Sequence, residues 1–134
     1  MNRHPRMQCH ARTFPMEPTT AREARAWTRA LLFDTTPADV VHDAQVVVSE
    51  MVTNSLRHST GPTLRLDVAV SPVSLYVECV DGGGPTEPRI PDADPLAEGG
   101  RGLHLIAGLA SVSGPLECGG RYFAFLGWAD PARR

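Results

Sequence analysis

Glu50 and Asn54 stand four residues apart in a run whose apolar residues recur at helical spacing. Both side chains therefore project from one face of a helix. A carboxylate and an amide oxygen so placed can hold a hard divalent cation, with water and phosphate oxygens completing its shell. Asp81 ends a strand-like alternation and precedes Gly82, Gly83 and Gly84. A carboxylate at a strand end can accept hydrogen bonds from the amino group of a flat heterocycle, and glycines beside it let the backbone approach the ring. The third stretch, Glu98-Gly99-Gly100-Arg101-Gly102, opens an apolar helical pattern. Free N–H groups at a helix start, the positive end of its dipole and a guanidinium can cradle phosphate without lysine. Singly, each feature is ordinary: Glu and Asn on a helix edge are mostly solvated, Asp-Gly is a common turn, and glycines often only turn the chain.

The surrounding pattern supplies elements to hold these residues. Cys9 to Phe14 reads as a short edge strand closed by Pro15 and Pro18. Thr20-Ala21-Arg22-Glu23 reads as a capping box, and Ala24, Trp27 and Leu31 continue a helix to about Phe33. Thr36-Pro37-Ala38-Asp39 starts a second helix, with Pro37 in its first turn. Val40, Ala44, Val47, Val48, Met51 and Ser55 keep the helical period, and the helix ends by His58 because Gly61-Pro62 cannot continue it. The period then changes to two. Leu64, Leu66, Val68 and Val70 form one strand, and Leu75, Val77 and Cys79 form the next across the Ser71-Pro72 turn. A glycine- and proline-rich loop spans 81–100, long for so small a domain and for that reason a candidate for function. A short helix from Gly102 to about Leu109 and strands near 110–114 and 121–128 complete the chain. The expected fold is an α/β (α+β) two-layer sandwich: a mixed, mostly antiparallel sheet with helices on one face.

Composition bounds what this fold can do. The chain has 134 residues, suited to one domain, and a net charge of −2 that gives no basic field for a nucleic-acid backbone. All 13 basic residues are arginine. The absence of lysine excludes a GxxxxGK[ST] phosphate loop, a eukaryotic-type kinase and Schiff-base chemistry. Cys9, Cys79 and Cys118 are odd in number and form no CxxC, which argues against a disulfide framework or structural zinc and for a reducing cytoplasm. The first ten residues lack the apolar run of a signal peptide, and no stretch has the ~18 apolar residues of a membrane span. Arg57, His58 and His104 lie near the motifs, but structural or solvated roles outweigh catalytic ones. Cys9-His10 with His4 has no fixed metal geometry, and Trp27 and Trp128 read as core or interface aromatics.

In this order, SEMVTNSLRHS, VDGGGP and EGGRGLHLI resemble the N-box and the two glycine boxes of the GHKL (Bergerat-fold) ATPases. More closely, the chain is similar to the single-domain anti-sigma factor serine kinases of bacteria, from the helix near Thr20 through the final strand. The resemblance implies a Bergerat ATP-binding fold with ATP and Mg²⁺. It places Glu50 as catalytic base, Asn54 as magnesium ligand and Asp81 as adenine-binding carboxylate, followed by Gly83. It also assigns Gly100, Arg101 and Gly102 to the phosphates and 85–98 to a nucleotide lid. Two positions depart from the family pattern: Pro85 stands where a final glycine is expected, and Gly120-Arg121-Tyr122 replaces a Gly-Lys or Gly-Thr pair.

The implied organisation is a tail over 1–8 and a single ATP-binding domain over 9–130. The implied function is an anti-sigma factor that phosphorylates a serine of an anti-anti-sigma (STAS-type) partner and sequesters a sigma factor. The family also contains homodimers; neither nucleic acid nor membrane is an expected partner. The alternative is a regulatory module that binds nucleotide and partners without kinase activity. A third reading is a small sandwich domain that binds no nucleotide.

Overall fold

The computed structural model describes residues 7–82, 101–116 and 119–129. Among them run β1 (Gln8–Pro15), α1 (Thr20–Leu32), α2 (Ala38–His58), β2 (Thr63–Val70), β3 (Ser74–Asp81), α3 (Arg101–Leu109), β4 (Val112–Pro115) and β5 (Arg121–Gly127). The strands form one five-stranded sheet in the order β1-β2-β3-β5-β4. Every pairing is antiparallel. The expected sandwich is present, and its sheet is wholly antiparallel rather than mixed.

Strand alternation assigns the two faces. Leu64, Leu66, Val68 and Val70 of β2 align with Asp81, Cys79, Val77 and Leu75 of β3, and Cys79, Val77 and Leu75 align with Tyr122, Ala124 and Leu126 of β5. These apolar side chains are buried, as are Val47, Val48, Met51 and Val52 of α2 and Leu103 and Ile106 of α3. Period-two burial in the strands and period-3.6 burial in the helices thus meet in one core between two layers. Helix α1 packs on α2, where Arg25 Nη1 donates to Ser49 Oγ at 3.0 Å and Gln45 Nε2 donates to the Arg25 carbonyl at 3.2 Å.

Two helix starts differ from the sequence expectation. Thr20 is not a capping residue. It is the first residue of α1, fully buried, and its hydroxyl donates 2.6 Å to the Pro15 carbonyl at the end of β1. Thr19 holds the cap position without a side-chain bond. The hydroxyl satisfies a strand-end carbonyl instead of a helix N–H, which ties β1 to α1. Pro37 sits at the N-cap of α2, one position before the helix, and Asp39 accepts from the Val40 N–H at 3.0 Å.

The sheet face away from the helices carries a buried charge. Glu78 is 6% exposed and receives the Tyr76 hydroxyl at 2.7 Å and Arg121 Nη2 at 2.6 Å. Tyr76 stacks on Phe123 at 5.9 Å. Burial, then the hydrogen bond to Glu78, pushes the Tyr76 phenol up to about 12. No helix among the described residues is long and apolar enough to cross a membrane.

Candidate functional site

The site is strung along the C-terminal half of α2. Glu50, Asn54 and Ser55 lie within its last three turns, and α3 and the end of β3 approach it from either side. From Glu50 to Ser55 the helix advances about 7.5 Å.

Gly102, near the start of α3, lies directly against the Glu50 carboxylate. A Cβ on Gly102 would sit 2.5 Å from Glu50 Oε2, closer than real carbon atoms come. Only glycine lets this helix start meet the carboxylate without displacing it. The two residues are 52 positions apart in sequence, and the packing of α3 on α2 brings them together.

Asp81 is held at the opposite end. Its N–H donates 2.7 Å to the Gly120 carbonyl, and its Oδ2 accepts the Ser55 hydroxyl at 2.5 Å. Gly61, beyond the end of α2, also comes close to the turn after Asp81, since a Cβ there would lie 3.4 Å from the Gly82 Cα. Between the two ends lies Asn54, only 8% exposed, whose Nδ2 is buried without a hydrogen-bond partner among the described residues. A buried amide without a partner is uncommon, and a bound polar group or an ordered water would satisfy it.

Glu50, Asn54, Asp81 and Gly102 are therefore gathered along one helix. Arg101 begins α3, and its side chain, Gly83, Gly100, residues 1–6 of the expected 1–8 tail and the segment 85–98 lie outside the described residues, while Gln8 of that tail already belongs to β1. Tyr122 belongs to the buried core. It is 7% exposed on the helix-facing side of the sheet, aligned with Cys79, and burial raises its phenol while a bond from Ser113 opposes the rise. Among the described residues no three His, Cys, Asp or Glu side chains cluster to hold a metal. A single amide oxygen completed by phosphate and water, as Asn54 offers, does not need such a cluster.

Ser55 and Cys79 are the functional candidates that sequence reasoning missed. Ser55 was legible only as a member of the buried helical stripe. A hydroxyl in such a stripe must find a partner, and Cys79 shares a strand face with Asp81 two residues away; together those signals point at this cluster. Cys79 Sγ lies 3.3 Å from Ser55 Oγ, and burial, the dominant cause, pushes its thiol up to about 12.

The constellation joins a carboxylate against a helix start, a buried amide and an anchored strand-end carboxylate. The histidine kinase-like ATPase domain family matches residues 14–113, and the chain belongs to that family. It is an ATP-binding fold. A solved structure described as the RsbU and RsbW domains of Rv1364c from Mycobacterium tuberculosis has the same fold, at a TM-score of 0.65 and 19% identity. That match covers 90% of this chain and 32% of the other, so the chain spans about a third of its structural relative. No curated protein sequence matches the chain significantly.

Proposed function

We propose that the protein binds ATP through Asp81 at the base and Gly83, Gly100, Arg101 and Gly102 at the phosphates. It transfers the terminal phosphoryl group to a serine of an anti-anti-sigma (STAS-type) partner, and in its other state it sequesters a sigma factor. The observation that carries the reading is the contact of Glu50 with Gly102. It sets the only carboxylate of the N-box stretch beside the helix start suited to phosphate, with Asp81 anchored at the far end of the same helix. The resemblance of the motifs to anti-sigma factor serine kinases supports the partner assignment, as does the structural likeness to a chain whose description names an RsbW domain.

In this reading Glu50 orients the serine hydroxyl and takes its proton as the new O–P bond forms and the bond to the ADP oxygen breaks. Phosphoryl transfer depends mainly on such positioning and electrostatics. Asn54 fits magnesium: its side chain is buried, its oxygen can ligate, and its unpartnered Nδ2 can donate to a phosphate oxygen. Bound there, Mg²⁺ would supply neutralisation of phosphate charge. A groove of about 530 Å³ on α1, lined by Arg22, Arg25, Arg29, Phe33 and Gln45, offers cations around an apolar floor to an acidic partner surface.

The second reading, nucleotide binding without transfer, is favoured by Tyr122. Its burial in the core means that this position delivers no hydroxyl to the terminal phosphate. Labelled ATP with a STAS-type protein separates the two. Wild type should label the partner's serine, and Glu50→Ala should bind ATP nearly as well while losing about 10²–10⁴-fold in rate. ATP binding without any labelling by wild type would establish the non-catalytic module, and absence of ATP binding would overturn both.

A further inference from the structure

The Ser55 hydroxyl carries one proton, and an ionised carboxylate can only accept. At 2.5 Å from Asp81 Oδ2 that proton is committed to the carboxylate. The contact between Ser55 Oγ and Cys79 Sγ at 3.3 Å must then run the other way, with the thiol as donor. Its buried thiol, pushed up to about 12, keeps that proton at any physiological pH. The three side chains form a one-way relay: Cys79 S–H to Ser55 Oγ, and Ser55 O–H to Asp81. Ser55 is 6% exposed and Cys79 2% exposed, so their mutual contact is shielded from water. Each member comes from a rigid element, α2 or β3, and none from a loop.

We propose that Ser55 is the positioning residue for base selection. The Ser55 bond orients the Asp81 carboxylate towards the amino group of a purine. The proposal rests on Asp81 as the base-binding group. Ser55 touches no nucleotide itself; it acts by denying Asp81 the freedom to turn, so a base with an amino group gains and a base with a carbonyl at that position does not. Selectivity between such bases therefore depends on a helix residue behind the carboxylate. A hydrogen bond to an ionised acceptor is of the strong, charge-assisted kind, so the Ser55 bond fixes the direction in which the carboxylate presents its remaining lone pairs, and its loss costs orientation.

The test compares ATP with ITP, in which a carbonyl replaces the amino group, by calorimetric titration of the full chain with magnesium. Wild type should prefer ATP by at least about tenfold. Ser55→Ala should lose about tenfold in ATP affinity and little in ITP affinity, so that the preference collapses. Ser55→Thr, which keeps the hydroxyl, should restore it, and Cys79→Ala, which spares the bond to Asp81, should retain most of it. Urea denaturation verifies that each variant folds. A merely structural role would lower both affinities together, and that result overturns the proposal, as does an unchanged preference in Ser55→Ala. If Asp81→Asn abolishes the preference while Ser55→Ala keeps it, the base assignment stands and the role of Ser55 falls. A wild type that binds ATP and ITP alike overturns both.

Discussion

Substituting alanine for Gly102 tests the geometry of the site with one methyl group. The added carbon would lie 2.5 Å from Glu50 Oε2 and 3.4 Å from Cδ, where ordinary contact begins at 3.4 Å. The carboxylate must therefore retreat by roughly 0.9 Å, and a displacement of about 1 Å at a reacting group costs on the order of 10²-fold in rate. Folding should notice much less. Gly102 lies within α3 and has no positive φ, so alanine gains about 0.4–1 kcal/mol by restricting the unfolded chain. That gain offsets the roughly 0.5–1.5 kcal/mol of pushing Glu50 off its rotamer. The urea midpoint should move by no more than about 1 kcal/mol in stability while the initial rate of phosphoryl transfer falls about a hundredfold. Adding Gly102→Ala to Glu50→Ala should cost no further rate, because the carboxylate through which it acts is gone. Transfer at the wild-type rate in Gly102→Ala, or a full additional loss in the double variant, would refute the reasoning.

Three further outcomes follow from other parts of the molecule. Removing the amide in Asn54→Ala should weaken magnesium-dependent ATP binding and leave magnesium-free binding nearly unchanged; equal losses in both titrations would count against a metal role. The Cys79 thiol is raised from 9.0 to about 12 in the fold, so its contribution is complete below pH 9 and is lost as pH rises towards 12. Urea midpoints should therefore fall above pH 9, less steeply in Cys79→Ala, and Tyr76, raised from 10.0 to about 12, should add to the fall above pH 10. On the outer sheet face, Arg121→Leu should destabilise by about 1–3 kcal/mol by stranding Glu78, and Glu78→Leu in the same chain should recover much of it; additive losses in a denaturant cycle would deny the coupling.

The layers and the site were legible in the sequence to different depths. Alternation at Leu64 to Val70 and Leu75 to Cys79 identified two strands and their buried faces, because a one-residue slip would have turned every apolar side chain to solvent. The long period from Val40 to Ser55 likewise identified α2. The order of the sheet was not legible, since nothing local says that β5 inserts between β3 and β4. Thr20 misled because a capping box is a local pattern, while the carbonyl it serves, Pro15, belongs to the preceding strand. Glu78 and Tyr76 alternate with the apolar residues of β3, and alternation alone does not show that this face is covered. Arg121, brought across from β5, covers and pairs with Glu78 there. Glu50, Asn54, Asp81 and Gly102 were singled out through motif order, and packing brings them along one helix. Ser55 was missed, because the hydroxyl's partner lies 26 residues away on another element.

Strand β1 reaches the sheet by an unusual route. It pairs with β2 alone at the edge, Gln8 against Val70 and Pro15 against Thr63, with 47 residues between the two strands. The β2–β3 hairpin closes over three residues, Ser71 to Val73, and is pinned by the bond from the Ser71 N–H to the Ser74 carbonyl. For a flexible chain, closing the longer loop costs about 2 kcal/mol more entropy than closing the shorter. The hairpin can form early, whereas β1 must wait until α1 and α2 have shortened its tether. What repays that delay is concentrated in Phe14, fully buried, edge-on to Trp27 at 5.8 Å and capped by the Arg12 guanidinium at 4.6 Å. Loop entropy thus predicts that the first strand in sequence joins late, held by its ladder to β2 and by one buried aromatic ring.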